Sequence, residues 1–313
     1  MCCQTYIILI MRELDLILLY YYLCECYDNE LRWHCQRFSN NSSPSNEKIT
    51  DSELLTIYFY CRLYEDKHKK TEIYDYTVRY MSSWFPKLPN YSNFNARINA
   101  LNPALSALVP MLLQNIENKC IVKGISHDIV LVDSYPIILC SGKRQGKVAT
   151  ELSDKSFCAT KNLYYYGVKM HMVARKVEKT IPLMDFVSIT SASENDLTAL
   201  RPILHKLKGK AIFADKAYAD IRLNEELLTQ QDTYIYTPVK LIKGQSQAER
   251  QFKKASDSLF STAVSRVRQP VESLFNWINE KTQLQNASKI RAINALMVHI
   301  FGALATALFH YIF

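Results

Sequence analysis

Three acidic residues stand in settings where carboxylates can do chemistry. Asp133 follows Ile129, Val130, Leu131 and Val132 in the stretch ISHDIVLVDSYPI, residues 125–137. That unbroken β-branched and leucine run predicts a strand covered on both faces, with Asp133 at its carboxyl end. Asp215 follows a second short apolar run, Ala211 to Ala214, and Glu272 lies in RQPVESLFNWI, which reads as a helix. Ligands of open α/β sheets gather beyond the carboxyl ends of strands. Two carboxylates there, joined by a third from a helix, would suit hard divalent cations such as Mg²⁺ or Mn²⁺. Two such ions about 4 Å apart stabilise the attacking and leaving oxygens of an in-line phosphoryl displacement. Each acid taken alone is more simply a cap, an ion-pair partner or a solvated charge; only their meeting would make a site.

The elements that must bring them together follow from pattern. Residues 1–38 read as helix, and Asn40 to Glu47 as a linker rich in turn-forming residues. Thr50 and Glu53 fit a capping box opening a helix over about 51–65. A second helix is expected over 71–83, and a third from Ser92 to Glu117, broken near Pro103 and Pro110. Residues 1–118 are thus an all-α region, with Arg79, Lys87 and Arg97 as candidate phosphate contacts that read more simply as solvated charges. From 125 the texture changes. Tyr164 to Arg175 and Ile181 to Thr190 read as a strand hairpin, and Asn195 to Leu207 as a helix capped by Ser193 or Asn195. The Asp215 strand, a helix near 219–230 and a strand from Tyr234 to Val239 follow. Lys240 to Arg268 is a basic polar stretch, Pro270 suits the first turn of the Glu272 helix, and a last helix covers about 288–312. This order is α/β with a mixed sheet. Should the Asp133 strand be central with the Asp215 strand parallel beside it, both acids open at one edge.

Composition sets limits. With 313 residues and 48% apolar content the chain can bury a sizeable core. A net charge of +8 permits an acidic polymer as partner without demanding one. Only 7 glycines occur, and neither GxGxxG nor GxxxxGK is among the motifs. Nine cysteines without a CxxC pair fit a reduced, intracellular chain, and Cys24, Cys26, His34 and Cys35 read as buried thiols rather than a zinc site. Ala292 to Phe313 is long and apolar enough to cross a bilayer. Asn294, His299 and His310 favour instead a helix buried against a sheet.

At VLVDSYPI (130–137), YYGVKMHMV (165–173), SITSASENDLTAL (188–200), IFADKAY (212–218), RQPVESLFNWINEKT (268–282) and HIFGALATAL (299–308) the sequence resembles bacterial insertion-sequence transposases of the DDE superfamily. SELLTIYFYCRLY and FPKLPNYSNFNARINAL are similar to that family's helical front end. The resemblance implies an RNase H-like catalytic domain, a mixed five-stranded sheet flanked by helices, over 119–313. It implies an all-α region over 1–118 that recognises DNA ends. It implies Asp133, Asp215 and Glu272 as the metal-binding acids holding two Mg²⁺ or Mn²⁺ ions. In the third motif Arg268 falls at the family's arginine position; Ser265 stands where tyrosine is usual and Asn279 where lysine is usual, with Lys281 as a substitute for that lysine. His171, on a strand near the site, reads as a core or surface histidine.

The function implied is metal-dependent strand cleavage at insertion-sequence ends and strand transfer into target DNA. The partners would be double-stranded DNA, terminal inverted repeats and target alike, with a homodimer or larger assembly in the active complex, no membrane, and a cytoplasmic, nucleoid-associated prokaryotic location. Basic segments at 143–147, 169–179 and 240–268 would flank the DNA backbone. The alternatives are an RNase H-like nuclease without strand transfer and a catalytically inactive or domesticated DNA-binding protein.

Overall fold

The computed structural model describes residues 2–35, 48–142, 148–158, 161–239, 247–288 and 290–313, with the backbone alone for 2–11, 247–250, 252 and 253. The expected linker at 40–47, the basic residues of 143–147, and Lys240 and Lys243 lie outside the described residues. Helix α1 (Cys2–Cys26) runs through a π turn (Tyr27–Leu31) into α2 (Arg32–His34), followed by α3 (Asp51–Tyr64), α4 (Lys70–Tyr80), α5 (Tyr91–Ala100) and α6 (Asn102–Asn118). Then come β1 (Ile125–Ser141), β2 (Asp154–Cys158), β3 (Leu163–Val177), β4 (Leu183–Ser191), α7 (Asp196–Leu200), β5 (Ala211–Phe213), α8 (Ile221–Gln231) and β6 (Tyr234–Tyr236). Helices α9 (Gln247–Arg268), α10 (Pro270–Thr282) and α11 (Ile293–Ile312) complete the described elements.

The chain forms two units. One is helical and comprises residues 1–121, 281–284 and 292–313; the other is α/β and comprises 122–280 and 285–291. In the helical unit the capping box is present: the Glu53 N–H donates to Thr50 Oγ1 at 3.2 Å and the Thr50 N–H to Glu53 Oε2 at 2.6 Å. Pro103 sits in the first turn of α6, where its missing donor costs nothing. Pro110, expected to break the helix, lies inside α6 and does not end it. Its neighbours Leu108, Val109, Leu112 and Leu113 are buried, so tertiary packing outweighs the lost hydrogen bond. Arg97 is not a free phosphate ligand: its Nε donates to Oδ1 of the buried Asp51 at 2.8 Å.

Helix α11 departs most from the sequence reading. Its buried face, including Leu296, Ile300, Leu304, Leu308 and Phe309, packs on α6 and α3 rather than on a sheet. Each such side chain contributes about 1.5–3 kcal/mol by leaving water. Gly302 lets α11 approach α3 closely, since a Cβ there would strike the Tyr58 ring. Among the described residues Ile293–Ile312 is the one helix long and apolar enough to span a membrane, and 61% of that window is already buried within the protein.

In the α/β unit the sheet order is β2-β3-β1-β5-β6, with β4 pairing with β3 beside β2. β1 is central, antiparallel to β3 and parallel to β5, and β5 is parallel to β6. The β3–β4 hairpin is antiparallel. The mixed α/β sheet with flanking helices and a helical front end agrees with expectation, with β2 as a sixth strand. One face of the sheet carries Val130, Val132, Val173, Ile212 and Ile235, packed on Leu200, Leu204, Leu223 and Leu227 from the helical segments after β4 and β5. Asn195 caps α7 by accepting from the Leu197 and Thr198 N–H groups at 2.9 and 3.3 Å, and a 3₁₀ turn (Arg201–Lys206) continues that segment.

Candidate active site

Asp133 does not end its strand. β1 continues to Ser141, paired with β3 beyond Asp133 as far as Ser141 opposite Tyr165. What ends is the pairing on the other edge, where the last parallel rung joins Leu131 to Phe213. Asp133 and Asp215 each stand two residues past that rung, so the parallel register brings both acids to the same mouth of the sheet. Pro136 is tolerated because the β5 side is open there. Two residues further on, Ile138 turns its N–H and C=O to that same side and bonds Gln285 and Ala287 at 2.9 and 3.1 Å. Asp215 precedes a single 3₁₀ turn, Lys216–Tyr218, and its backbone carbonyl accepts the Tyr218 N–H at 3.0 Å.

Glu272 arrives from a helix junction. Pro270 has no N–H, so α9 cannot continue through it; α9 ends at Arg268 and α10 starts afresh at Pro270. The Glu272 N–H donates to the Gln269 carbonyl at 3.0 Å. One turn along α10, Phe275 stacks on Tyr135 with ring centroids 4.9 Å apart and planes at 23°. Tyr135 shares the Asp133 face of β1, and Phe275 shares the Glu272 face of α10, so this contact seats the helix over the acid-bearing face.

Arg268 lies between two of the acids. Its Nη1 donates to Asp133 Oδ2 at 2.6 Å and its Nη2 to Glu272 Oε1 at 2.5 Å. Asp133 Oδ1 accepts the Ser134 N–H at 2.8 Å. Burial pushes the Asp133 carboxyl up to about 6; Arg268 and the Ser134 N–H pull it down, while Asp215 and Glu272 push it further up. Burial also works against the Arg268 charge, but Asp133, Glu272 and Asp215 outweigh it and hold the guanidinium above its ordinary value. Asp133, Asp215, Glu272 and Arg268 therefore share one electrostatic neighbourhood.

Asp215, Glu272 and Arg268 line an open cleft of about 520 Å³ with Lys216, Arg266, Ser258, Ser261, Thr262 and Ser265. The sequence reading treated 240–268 only as a basic stretch; from Gln247 on it is helix α9. The hydroxyls at 258, 261, 262 and 265 recur at helical spacing, and that period was the available signal. Lys216 stands beside Asp215 in the sequence, and no pattern in its type or spacing marks it as part of the site.

Lys281 stands on a different face of α10 from Glu272, nine residues or about two and a half turns further along. Its charge instead helps to lower the pKa of His310, after burial of that ring. Asn279, seven residues past Glu272, shares the Glu272 face, and its Oδ1 accepts the Gln285 N–H at 2.9 Å. His171 is buried on β3 with Nε2 2.8 Å from Thr190 Oγ1, and burial lowers its pKa to about 4. It is a neutral core histidine at ordinary pH.

Among the described residues no three His, Cys, Asp or Glu side chains stand close enough together to hold a metal ion as they are. The donor chemistry nevertheless fits one. All three acids offer hard oxygen ligands, and Asp133 is a half-buried carboxylate whose pKa is held up by burial, so a cation between the acids would favour its charged form.

Residues 124–309, more than half of the chain, match the family model described as a transposase DDE domain. No curated protein and no solved structure matches the chain significantly. The matched span begins just before β1 and contains Asp133, Asp215, Arg268 and Glu272. This chain belongs to the transposase DDE domain family.

Proposed function

We propose that the protein is a DNA transposase that cuts the ends of its element and joins a freed 3′-hydroxyl to target DNA, with Asp133, Asp215 and Glu272 as the catalytic acids. The observation that carries this reading is the shared position of Asp133 and Asp215, each two residues beyond the last β1–β5 rung, with Arg268 tied to both Asp133 and Glu272. Those three acids would hold divalent cations, two Mg²⁺ or Mn²⁺ ions by the family's chemistry. Bound there, the metal supplies Lewis-acid activation of water or hydroxyl and stabilises charge on the leaving oxygen.

The chain's own residues account for the rest. Asp133 lies within β1 and Asp215 two residues past the end of the neighbouring β5, so the sheet register supports the position of both. The Phe275–Tyr135 stack fixes the approach of Glu272. Arg268 is planar and forked, and can grip a phosphate oxygen pair when it leaves the carboxylates. Lys216 and Arg266 in the cleft wall supply positive charge for the strand on either side of the scissile bond. The helical region at 1–118 would read end sequence, and the scattered basic residues of the α/β region would give general affinity.

The test uses labelled duplexes carrying the inverted repeats that flank the coding region, incubated with the full chain and Mg²⁺. End cleavage followed by joining to a second duplex is expected. Cleavage without joining would mark a nuclease, and specific binding without cleavage would mark an inactive DNA-binding protein.

A further inference from the structure

One guanidinium occupies two of the three acids. Arg268 spends Nη1 on Asp133 and Nη2 on Glu272, at 2.6 and 2.5 Å, and its side chain is only 16% exposed. Its Nε has no partner. These are charge-assisted bonds from a planar fork, the strong kind. Helix geometry holds the fork in place: Arg268 ends α9, and Pro270 forces the chain to restart so that Glu272 faces back across the junction. A cation entering from the cleft would find Asp215 accessible, both oxygens of Asp133 already donated to, and Oε1 of Glu272 held by Arg268.

We propose that Arg268 is a built-in competitor for the metal, a guanidinium latch that keeps Asp133 and Glu272 closed to divalent cations until it is drawn away. The inference rests on the proposed metal-binding role of the three acids. The natural group to draw the latch away is a phosphate of the bound nucleic acid, because phosphate accepts the same fork. The same residue would then delay metal loading in the free protein and hold the strand in the complex. Binding of DNA and of metal would reinforce each other through it, and by linkage the effect is reciprocal.

The experiment measures Mn²⁺ binding to the full chain without DNA, by calorimetry and by the loss of free-ion EPR signal. Wild type, Arg268→Lys, Arg268→Gln and Asp133→Asn are compared, each checked for folding by its melting curve in EDTA. Lysine keeps the charge but lacks the planar fork, so its single ammonium holds the two carboxylates less firmly than the guanidinium does. Arg268→Lys is therefore expected to bind Mn²⁺ about tenfold more tightly than wild type, the equivalent of one charge-assisted bond no longer broken. Arg268→Gln should bind more tightly still, and Asp133→Asn should lose the site. Equal affinity in wild type and Arg268→Lys, with loss in Asp133→Asn, would overturn the latch while leaving the metal-binding acids intact. Wild-type affinity in Asp133→Asn would mean that the ion binds elsewhere, and both readings would fall. Should neither Arg268 variant fold, the guanidinium is a structural tie and the latch is likewise overturned.

Discussion

Two arginines, one in each unit, show what separates a structural charge from a working one. Arg62 in the helical unit is buried to 2% exposure, and all its hydrogen bonds go to neutral oxygens: Nε to Thr306 Oγ1 at 2.9 Å, Nη1 to the His68 carbonyl at 3.1 Å, Nη2 to the Thr282 carbonyl at 3.2 Å. The Tyr58 ring covers it, 5.3 Å from centroid to guanidinium carbon. Every donor nitrogen is used, and the group ties α3 to α11, to His68 and to Thr282, the last residue of α10. Arg268 in the α/β unit faces carboxylates, leaves its Nε unpaired, and stands at an open cleft beside a further acid. The first arrangement is complete in itself. The second ties one guanidinium to two carboxylates at the edge of an open cleft that also carries Asp215, Lys216 and Arg266, an arrangement left open to a ligand from outside.

That contrast can be broken by substitution. The largest effect is expected at the acids. Asp133→Asn, Asp215→Asn and Glu272→Gln should each reduce cleavage at least about a thousandfold while leaving duplex binding within a few-fold, because an amide keeps the shape and loses the anionic ligand. Cleavage and gel-shift affinity measured side by side decide it; near-normal cleavage in any variant removes that residue from the site. Next comes Arg268→Lys, with single-turnover cleavage expected to fall by about a hundredfold at an unchanged melting temperature, since a point charge does not replace a phosphate fork. Unchanged turnover would leave Arg268 as an ion-pair partner only.

Arg62→Ala should do the reverse. It strips α11 and the Thr282 and His68 carbonyls of their donor and should cost about 2–3 kcal/mol of stability. Cleavage per folded molecule should stay near wild type. A stable but inactive Arg62→Ala protein would abolish the distinction drawn between the two arginines.

The smallest effect concerns pH. A carboxyl raised in the folded state binds a proton more tightly there than when unfolded. Asp133 therefore makes the metal-free protein less stable as pH rises from about 4 through 6, and remains unfavourable at pH 7. Asp133→Asn should then raise stability by about 1–2 kcal/mol in EDTA at pH 7, and the gain should vanish near pH 4. His299 carries the opposite sign. Burial lowers its pKa to about 4, so its contribution is full above 6.5 and is lost as pH falls through that window. Denaturant titrations at pH 4, 5.5 and 7 separate the two.

The two strand acids were easier to read in the sequence than the third motif's details. Apolar runs ending in aspartate at 133 and 215 pointed to strands, and the strands are there. That β1 would continue eight residues past Asp133 was hidden, because Pro136 looks like a stop and is permitted only by the short partner β5. β2 was invisible: DKSFC has neither length nor alternation enough to declare itself. Helix α9 was missed because so little of it is apolar; Val264 is its buried residue among those whose side chains are described. The choice of Lys281 over Asn279 followed residue type alone, whereas helical phase places Asn279 on the Glu272 face and Lys281 opposite. Helix α11 was read as part of a second domain running to Phe313. Its partners, α3 and α6, are more than 170 residues earlier in the chain, and no local pattern announces a contact of that span.

The return of α11 to the first helices also sets an order of assembly during synthesis. The α/β unit has all its residues once position 291 has been made. The helical unit, though its first helices precede the α/β unit, lacks its central apolar helix until residues 293–312 have left the ribosome. Until then the surfaces of α3 and α6 that will meet Leu304 and Leu308 remain uncovered, and Arg62 waits for Thr306. The helical unit, whose first helices precede the α/β unit in the chain, can thus finish folding only after it, and a nascent chain halted short of α11 would carry an open hydrophobic face in its helical unit.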